Sequence, residues 1–331
     1  MTAADLWRRT VTGIESELPA WGSSRFTPAA LAATGLLTGL ALAAGQYTQI
    51  LVSVGCAYLV ASLGYNLILG YAGQMAFCQA GFMAVGAYVL AVLEAGGTAP
   101  LLAIAVAIVA SGAVAALIGV AVLRTRGVYL ALVTLAFAQA IIVLINLWPA
   151  SQGENGISVS VPGQNGVLVA ALVAGASLFV VERLVRSRFG RALAMVRLDE
   201  EAAAAMGVHA LPVRVLAFTL GGMLGGAGGV LLSGALGFIA PSDFGTSLTL
   251  LLLTIVVVGG VESVWGTLIG TVLLVALSQY LANSLGYQDI IYGAVLFVVL
   301  VLRPRGLVSA ADPLRRALER RGREGAAVRA P

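Results

Sequence analysis

The sequence predicts an all-α, polytopic membrane bundle of about ten spans (eight to ten), with broken or half-length helices and both termini cytoplasmic. Three observations predict it. First, 60% of the 331 residues are apolar, only 10% are charged, and mean hydropathy is +0.98; a soluble domain carries about a quarter charged residues. Second, the apolar residues fall into stretches near the ~20 residues that a spanning helix needs at a rise of about 1.5 Å each. Third, the arginines are confined to alternate connections.

In chain order the spans are expected at 28–45, 48–69, 75–94, 100–123, 128–148, 166–182, 215–237, 247–261, 266–285 and 289–302. The third, seventh and eighth are interrupted by glycine, and the eighth and tenth are short. These are the candidates for half-crossings, because irregular backbone survives at membrane depth only where protein or water satisfies it. Residues 1–27 include Asp5, Glu15, Glu17 and Pro19 and no compact apolar stretch, so they read as a cytoplasmic lead-in rather than a cleaved signal peptide. The transmembrane domain then covers 28–302, and 303–331 form a cytoplasmic tail.

Cytoplasmic loops are enriched in basic residues. With the N-terminus inside, all 19 arginines lie in the inner segments 1–27, 124–127, 183–214 and 303–331, and the outer segments hold none. That distribution requires an even number of crossings between the main arginine clusters. The expected location is a bacterial cytoplasmic membrane.

Glycine accounts for 41 residues and is densest in Gly221-Gly222-Met223-Leu224-Gly225-Gly226-Ala227-Gly228-Gly229. Such a patch serves close helix packing in lipid or marks hinges near a pathway. Cys56 and Cys78 lie in apolar segments, too few for a disulfide framework, and read as small buried hydrophobes.

Three function classes are disfavoured directly. No lysine occurs anywhere, and a phosphate-binding P-loop requires one, so ATP used by this protein must be hydrolysed on another chain. Glu94, Glu182, Glu262 and Asp289 all fall at span ends, whereas ion-coupled carriers usually keep ionisable groups in the membrane interior. The only histidine is His209, which leaves no His/carboxylate or Cys/His constellation for a membrane enzyme. A neutral or zwitterionic cargo would be handled by uncharged polar groups, with Asn66, Gln74, Gln79, Tyr88 and Thr134 as pathway candidates. Each of these also suits an interhelical hydrogen bond.

The loop 183–214 carries six arginines around a short helix. Asp199 is placed to cap it, Glu200 and Glu201 suit the positive end of its dipole, Ala202 to Ala205 have high helix propensity, and Gly207 suits the position just past its end.

Glu201-Ala202-Ala203 with Gly207 resembles the EAA motif of bacterial ABC importer permeases. Over roughly 47–308 the chain also resembles the LivM-type permeases of branched-chain amino-acid importers. The matching segments are Gly64 to Gln74, Ala80 to Tyr88, Arg126 to Phe137, Asn155-Gly-Ile157, Ser187 to Ala192, Val258-Gly-Gly260, and Tyr292-Gly293 through Arg303 to Leu307. This resemblance implies a permease subunit that binds no cofactor itself, with ATP and Mg²⁺ held by two partner ATPases. It further implies a homologous LivH-type second permease and an extracytoplasmic solute-binding protein, with no nucleic-acid partner. Glu201, Ala202, Ala203 and Gly207 would couple to the ATPase, supported by Arg191 and Arg197. The implied cargo is a branched-chain or other small neutral or zwitterionic amino acid. The alternatives are import of short amides or urea, or an ion-coupled secondary carrier. The chain departs from the family where Cys78-Gln79 replaces a common Gly-His, Ala76 a Ser, and Glu262 a frequent Gly.

Overall fold

Where the chain runs apolar for twenty residues or more, it forms long helices. In the computed structural model, residues 45–123, 125, 127–148, 156–159 and 166–281 are described, together with Gly35 and Gly39. The expected spans 28–45 and 289–302, and both termini, lie outside them.

Helix α1 (Gln46–Asn66) continues into a π-helical turn at Leu67–Tyr71. There follow α2 (Gln79–Ala95), α3 (Pro100–Val122), α4 (Val128–Leu147) and α5 (Gly166–Val185). Two short helices come next, α6 (Arg188–Leu198) and α7 (Glu200–Ala205), then the long α8 (Ala210–Leu236). A 3₁₀ turn at Pro241–Phe244 leads into α9 (Thr246–Gly259), and α10 (Val264–Leu281) closes the described chain. Six of these helical segments are long and apolar enough to cross a membrane, and α2 and α10 supply shorter apolar helices.

The eight expected spans that fall on described residues all contain a helix, with shifted ends. The seventh begins five residues early, at Ala210. Pro212 is tolerated there because it lies in the first helical turn, where its missing N–H has no partner to lose. Arg214 lies within this helix, and its guanidinium reaches Glu200 at 3.2 Å.

The third span is a shortened helix, 17 residues long, whereas the seventh, also rich in glycine, is the longest of the described helices at 27. The backbone leaves α1 at the π turn, and Gln74 N–H donates to Ile68 O at 3.0 Å. Residues 72–78 then run back alongside α1 without helical structure. Phe77 N–H is satisfied by Thr134 Oγ1 at 2.9 Å. At the first residue of α2, Gln79 Nε2 donates to Ala61 O at 2.9 Å and to Gly221 O at 3.1 Å. Ala61 lies about 15 Å up α1 from Tyr71 by helical rise, so α2 begins inside the bundle.

Helix α8 forms the centre, packing against α1, α2 and α3. Its glycine patch is a contact surface. A Cβ on Gly229 would run into the backbone of Met83, and one on Gly86 into the backbone of Gly226. Ser111 Oγ closes the crossing of α2 and α3 by donating to Phe82 O at 3.2 Å. The outer faces of α3, α4 and α5 expose Leu101, Leu117, Leu147 and Leu172 at 73–81%, faces for which hydrocarbon is the natural solvent.

The two ends of the bundle differ. A small antiparallel pair, β1 (Ile157–Ser158) with β2 (Phe238–Ile239), joins the connections after α4 and α8 at one end. At the other end, Arg183, Arg186, Arg188, Arg191, Arg197 and Arg214 cluster around α6, α7 and the first turns of α8. Every described arginine lies at that end, which agrees with the alternation read from the sequence.

Candidate functional site

The arginine-bearing end is built from two capped helices. Ser187 Oγ accepts from Phe189 N–H at 3.2 Å and starts α6. Asp199 starts α7, with Oδ1 accepting from Glu201 N–H at 2.9 Å and Ala202 N–H at 3.0 Å. The end of α7 is a Schellman motif: Gly207 N–H donates to Ala204 O, and Val208 N–H to Ala203 O, each at 2.9 Å. This closure needs the φ of +82° that Gly207 adopts, in the region that favours glycine. The start and stop signals read from the sequence are thus the ones the backbone uses.

The faces of α7 are divided. Ala203 is fully buried against Val196 and Ala210, with Met195 and Val208 packed on the same cluster. Glu201, Ala202, Ala204, Ala205 and Gly207 are exposed, and beside them Met206 and Leu198 expose 63% and 67% of their surface. The result is a small, rigid, mostly apolar face supported from beneath. Glu200 anchors it to α8 through Arg214.

The two supporting arginines differ from one another. Arg191 is exposed, and its Nη1 donates to Arg186 O at 3.4 Å. Arg197 is partly exposed and its head reaches toward the bundle. Its Nη1 donates to Gly70 O at 2.5 Å and forms an ion pair with the carboxylate of Glu262. His209 is exposed at the start of α8, with no side-chain capping bond.

Sequence reasoning did not foresee the convergence around Glu262. This residue sits between α9 and α10 at φ +68°, the one non-glycine residue at positive φ among the described residues. That conformation costs an L residue about 1–2 kcal/mol, a cost that glycine would not carry. Its N–H donates to Asn66 Oδ1 at 3.0 Å, and its carbonyl accepts from Tyr71 Oη at 2.6 Å. The one signal in the sequence was that Glu262 departs from the pattern of the family the chain resembles.

The five pathway candidates are not gathered in one place. Asn66 is fully engaged, since Nδ2 also donates to Thr267 Oγ1 at 2.8 Å and to Ser263 O at 3.1 Å. Thr134 Oγ1 accepts from Phe77 N–H and donates to Leu130 O at 2.8 Å. Gln79 uses its amide N–H groups on α1 and α8, while its Oε1, Gln74 Oε1 and Tyr88 Oη are buried with no hydrogen-bond partner among the described residues. The Tyr88 ring packs edge-on against Phe244, 6.3 Å between centroids. A cavity of about 740 Å³ lies at the opposite end from the arginines, lined by Gln46, Ser53, Glu94, Val167 and Leu231 among others and by none of the five. Among the described residues, no group of three or more His, Cys, Asp or Glu is placed to hold a metal ion.

A bundle of membrane-length helices, with a capped and exposed short helix at its arginine-bearing end, defines a multi-pass membrane protein. Residues 47–300 match the family described as branched-chain amino acid transport system / permease component, and the chain belongs to that family. It is a transport permease component rather than an enzyme. The chain is 31% identical over 291 residues to the high-affinity branched-chain amino acid transport system permease protein LivM of Salmonella typhimurium, covering 77% of this chain and 68% of that one. It is 25% identical over 295 residues to LivH of Escherichia coli K12, with 79% and 94% covered. Similarity extends to the autoinducer 2 import system permease protein LsrC of Klebsiella pneumoniae, 30% identical over 223 residues, with 61% and 59% covered. No solved structure matches the chain.

Proposed function

We propose that this chain is the membrane-spanning subunit of an ATP-driven importer and that α7 is its coupling helix, seated on a cytoplasmic ATPase. One observation carries the reading: α7 is capped at both ends and held from beneath by Ala203, while Glu201, Ala202, Ala204 and Ala205 face outward. A six-residue helix has too few internal hydrogen bonds to persist by propensity alone. So much local stabilisation of a small exposed face suits an element that must keep its shape against a partner.

The remaining parts of the importer are a homologous LivH-type permease, two ATPase subunits with ATP and Mg²⁺, and an extracytoplasmic solute-binding protein. ATP-driven closure of the ATPases would displace α7 and switch the bundle between outward- and inward-facing states, a rigid-body conversion of a kind transporters use. The names of the LivM and LivH relatives favour a branched-chain or similar neutral amino acid as cargo. Among the described residues the charged side chains lie near the ends of the membrane-length helices or in the connections between them, and the buried Glu182 pairs with Arg186 at 2.5 Å, which disfavours ion coupling.

The test is uptake by proteoliposomes holding the permease pair, the ATPases and the cognate binding protein, with leucine, isoleucine and valine compared against short amides and urea. ATP-dependent amino-acid uptake that Gly207→Asp abolishes, with insertion intact, is the expected result. Full uptake by that variant overturns the coupling reading, and ion-driven transport by the permease alone overturns the importer reading.

A further inference from the structure

Glu262 holds the turn between α9 and α10 in a backbone conformation that favours glycine, and each of its polar groups goes to a different element. Its N–H goes to Asn66 on α1, its carbonyl to Tyr71 on the π turn, and its carboxylate to Arg197 at the end of α6. Arg197 in turn spans two elements. Its stem lies along Gly73, where a Cβ would meet Arg197 Cγ at 3.0 Å, and its head donates to Gly70 O.

Static stability does not account for this arrangement. The two side chains are 36% and 32% exposed, and ion pairs of that exposure contribute little to folding. Glycine at 262 would remove the backbone strain altogether. What the pair does supply is a connection. Arg197 stands two residues before Asp199, the cap of α7, and among the described residues it makes the one ion pair linking this segment to the α9–α10 turn. The π turn it grips runs directly into residues 72–78, which carry the chain to the buried start of α2. Pulling on α7 therefore acts, through one guanidinium, on both the α9–α10 turn and the segment leading to the buried start of α2.

We propose that Arg197 and Glu262 are positioning residues that form a strut, transmitting displacement of α7 to the π turn of α1 and the α9–α10 turn. This rests on the reading of α7 as the ATPase-docking helix. The strut explains why a carboxylate occupies a position suited to glycine: the side chain is needed for transmission, not for the turn.

The experiment compares Arg197→Gln, Glu262→Gln, Glu262→Gly and the double variant R197Q/E262Q in the assembled importer, reading solute transported per ATP hydrolysed and retention of the ATPase subunits. Glu262→Gly guards against misfolding, because it removes the carboxylate while relieving the backbone. Each single variant is expected to lower transport per ATP by about fivefold or more, with the ATPases still bound and the double variant no worse than either single. Unchanged transport per ATP in Arg197→Gln and Glu262→Gly overturns the strut. So do losses that multiply in the double variant, or losses that accompany release of the ATPases. Failure of the docking reading gives a different signature, full uptake by Gly207→Asp.

Discussion

Asn66 and Thr267, 201 residues apart in sequence, are joined by a buried hydrogen bond of 2.8 Å that ties the end of α1 to the start of α10. The same amide group serves Ser263 O and Glu262 N–H, so one side chain replaces the hydrogen-bonding partners that a tight interhelical turn lacks. Asn66→Leu is expected to destabilise the protein by about 1–3 kcal/mol through the buried groups left unpaired. Thermal unfolding in detergent checks this; an unchanged midpoint would show that Asn66 is not structural.

Helix glycines should divide by what a methyl group would meet. Gly229→Ala drives a Cβ into the Met83 backbone and is expected to cost about 1–3 kcal/mol. Gly55→Ala on α1 meets only Val275 Cγ1, at 3.8 Å, and should be neutral or stabilise by up to about 1 kcal/mol. Detergent unfolding midpoints of the two variants should move in opposite directions or differ clearly in size.

The Nε2 bonds of Gln79 to α1 and α8 account for this residue without a cargo. Gln79→Leu should therefore lower stability by about 1 kcal/mol and leave the ranking of transported solutes unchanged. A reordered solute preference in competition uptake would place the residue on the pathway instead.

Asp199→Ala removes both capping bonds of α7 at a cost of about 1 kcal/mol, while Asp199→Ser retains a capping acceptor. Hydrogen exchange at the Ala202 amide should quicken in the first variant and much less in the second. Equal exchange in both would mean that α7 is held by something other than its cap.

The parts legible in the sequence are those fixed by local chemistry. Asp199, the alanines and Gly207 announce α7 because capping and propensity act over a few residues, and the arginine alternation announces which connections share an end. The shortened α2 was legible as an interrupted third span, but not its starting depth, which depends on Gln79 meeting carbonyls of α1 and α8. Arg197 reads in sequence like Arg191, since both lie on one basic loop. Only the folded chain brings Glu262 and Gly70 to one of them. Ala203 is likewise indistinguishable from its neighbours until the packing of Val196 and Ala210 assigns it the inner face.

The most direct measurement is site-directed cross-linking from α7 in the assembled importer. Ala205 is exposed, whereas Ala203, two residues away, has no exposed surface. A photoreactive probe attached at Ala205→Cys should cross-link to an ATPase subunit, while the same probe at Arg191→Cys marks the neighbouring exposed surface and Ala203→Cys stays unlabelled. Failure of the Ala205 probe to reach any ATPase, in complexes that still hydrolyse ATP and transport solute, would contradict the assignment of α7 as the coupling helix.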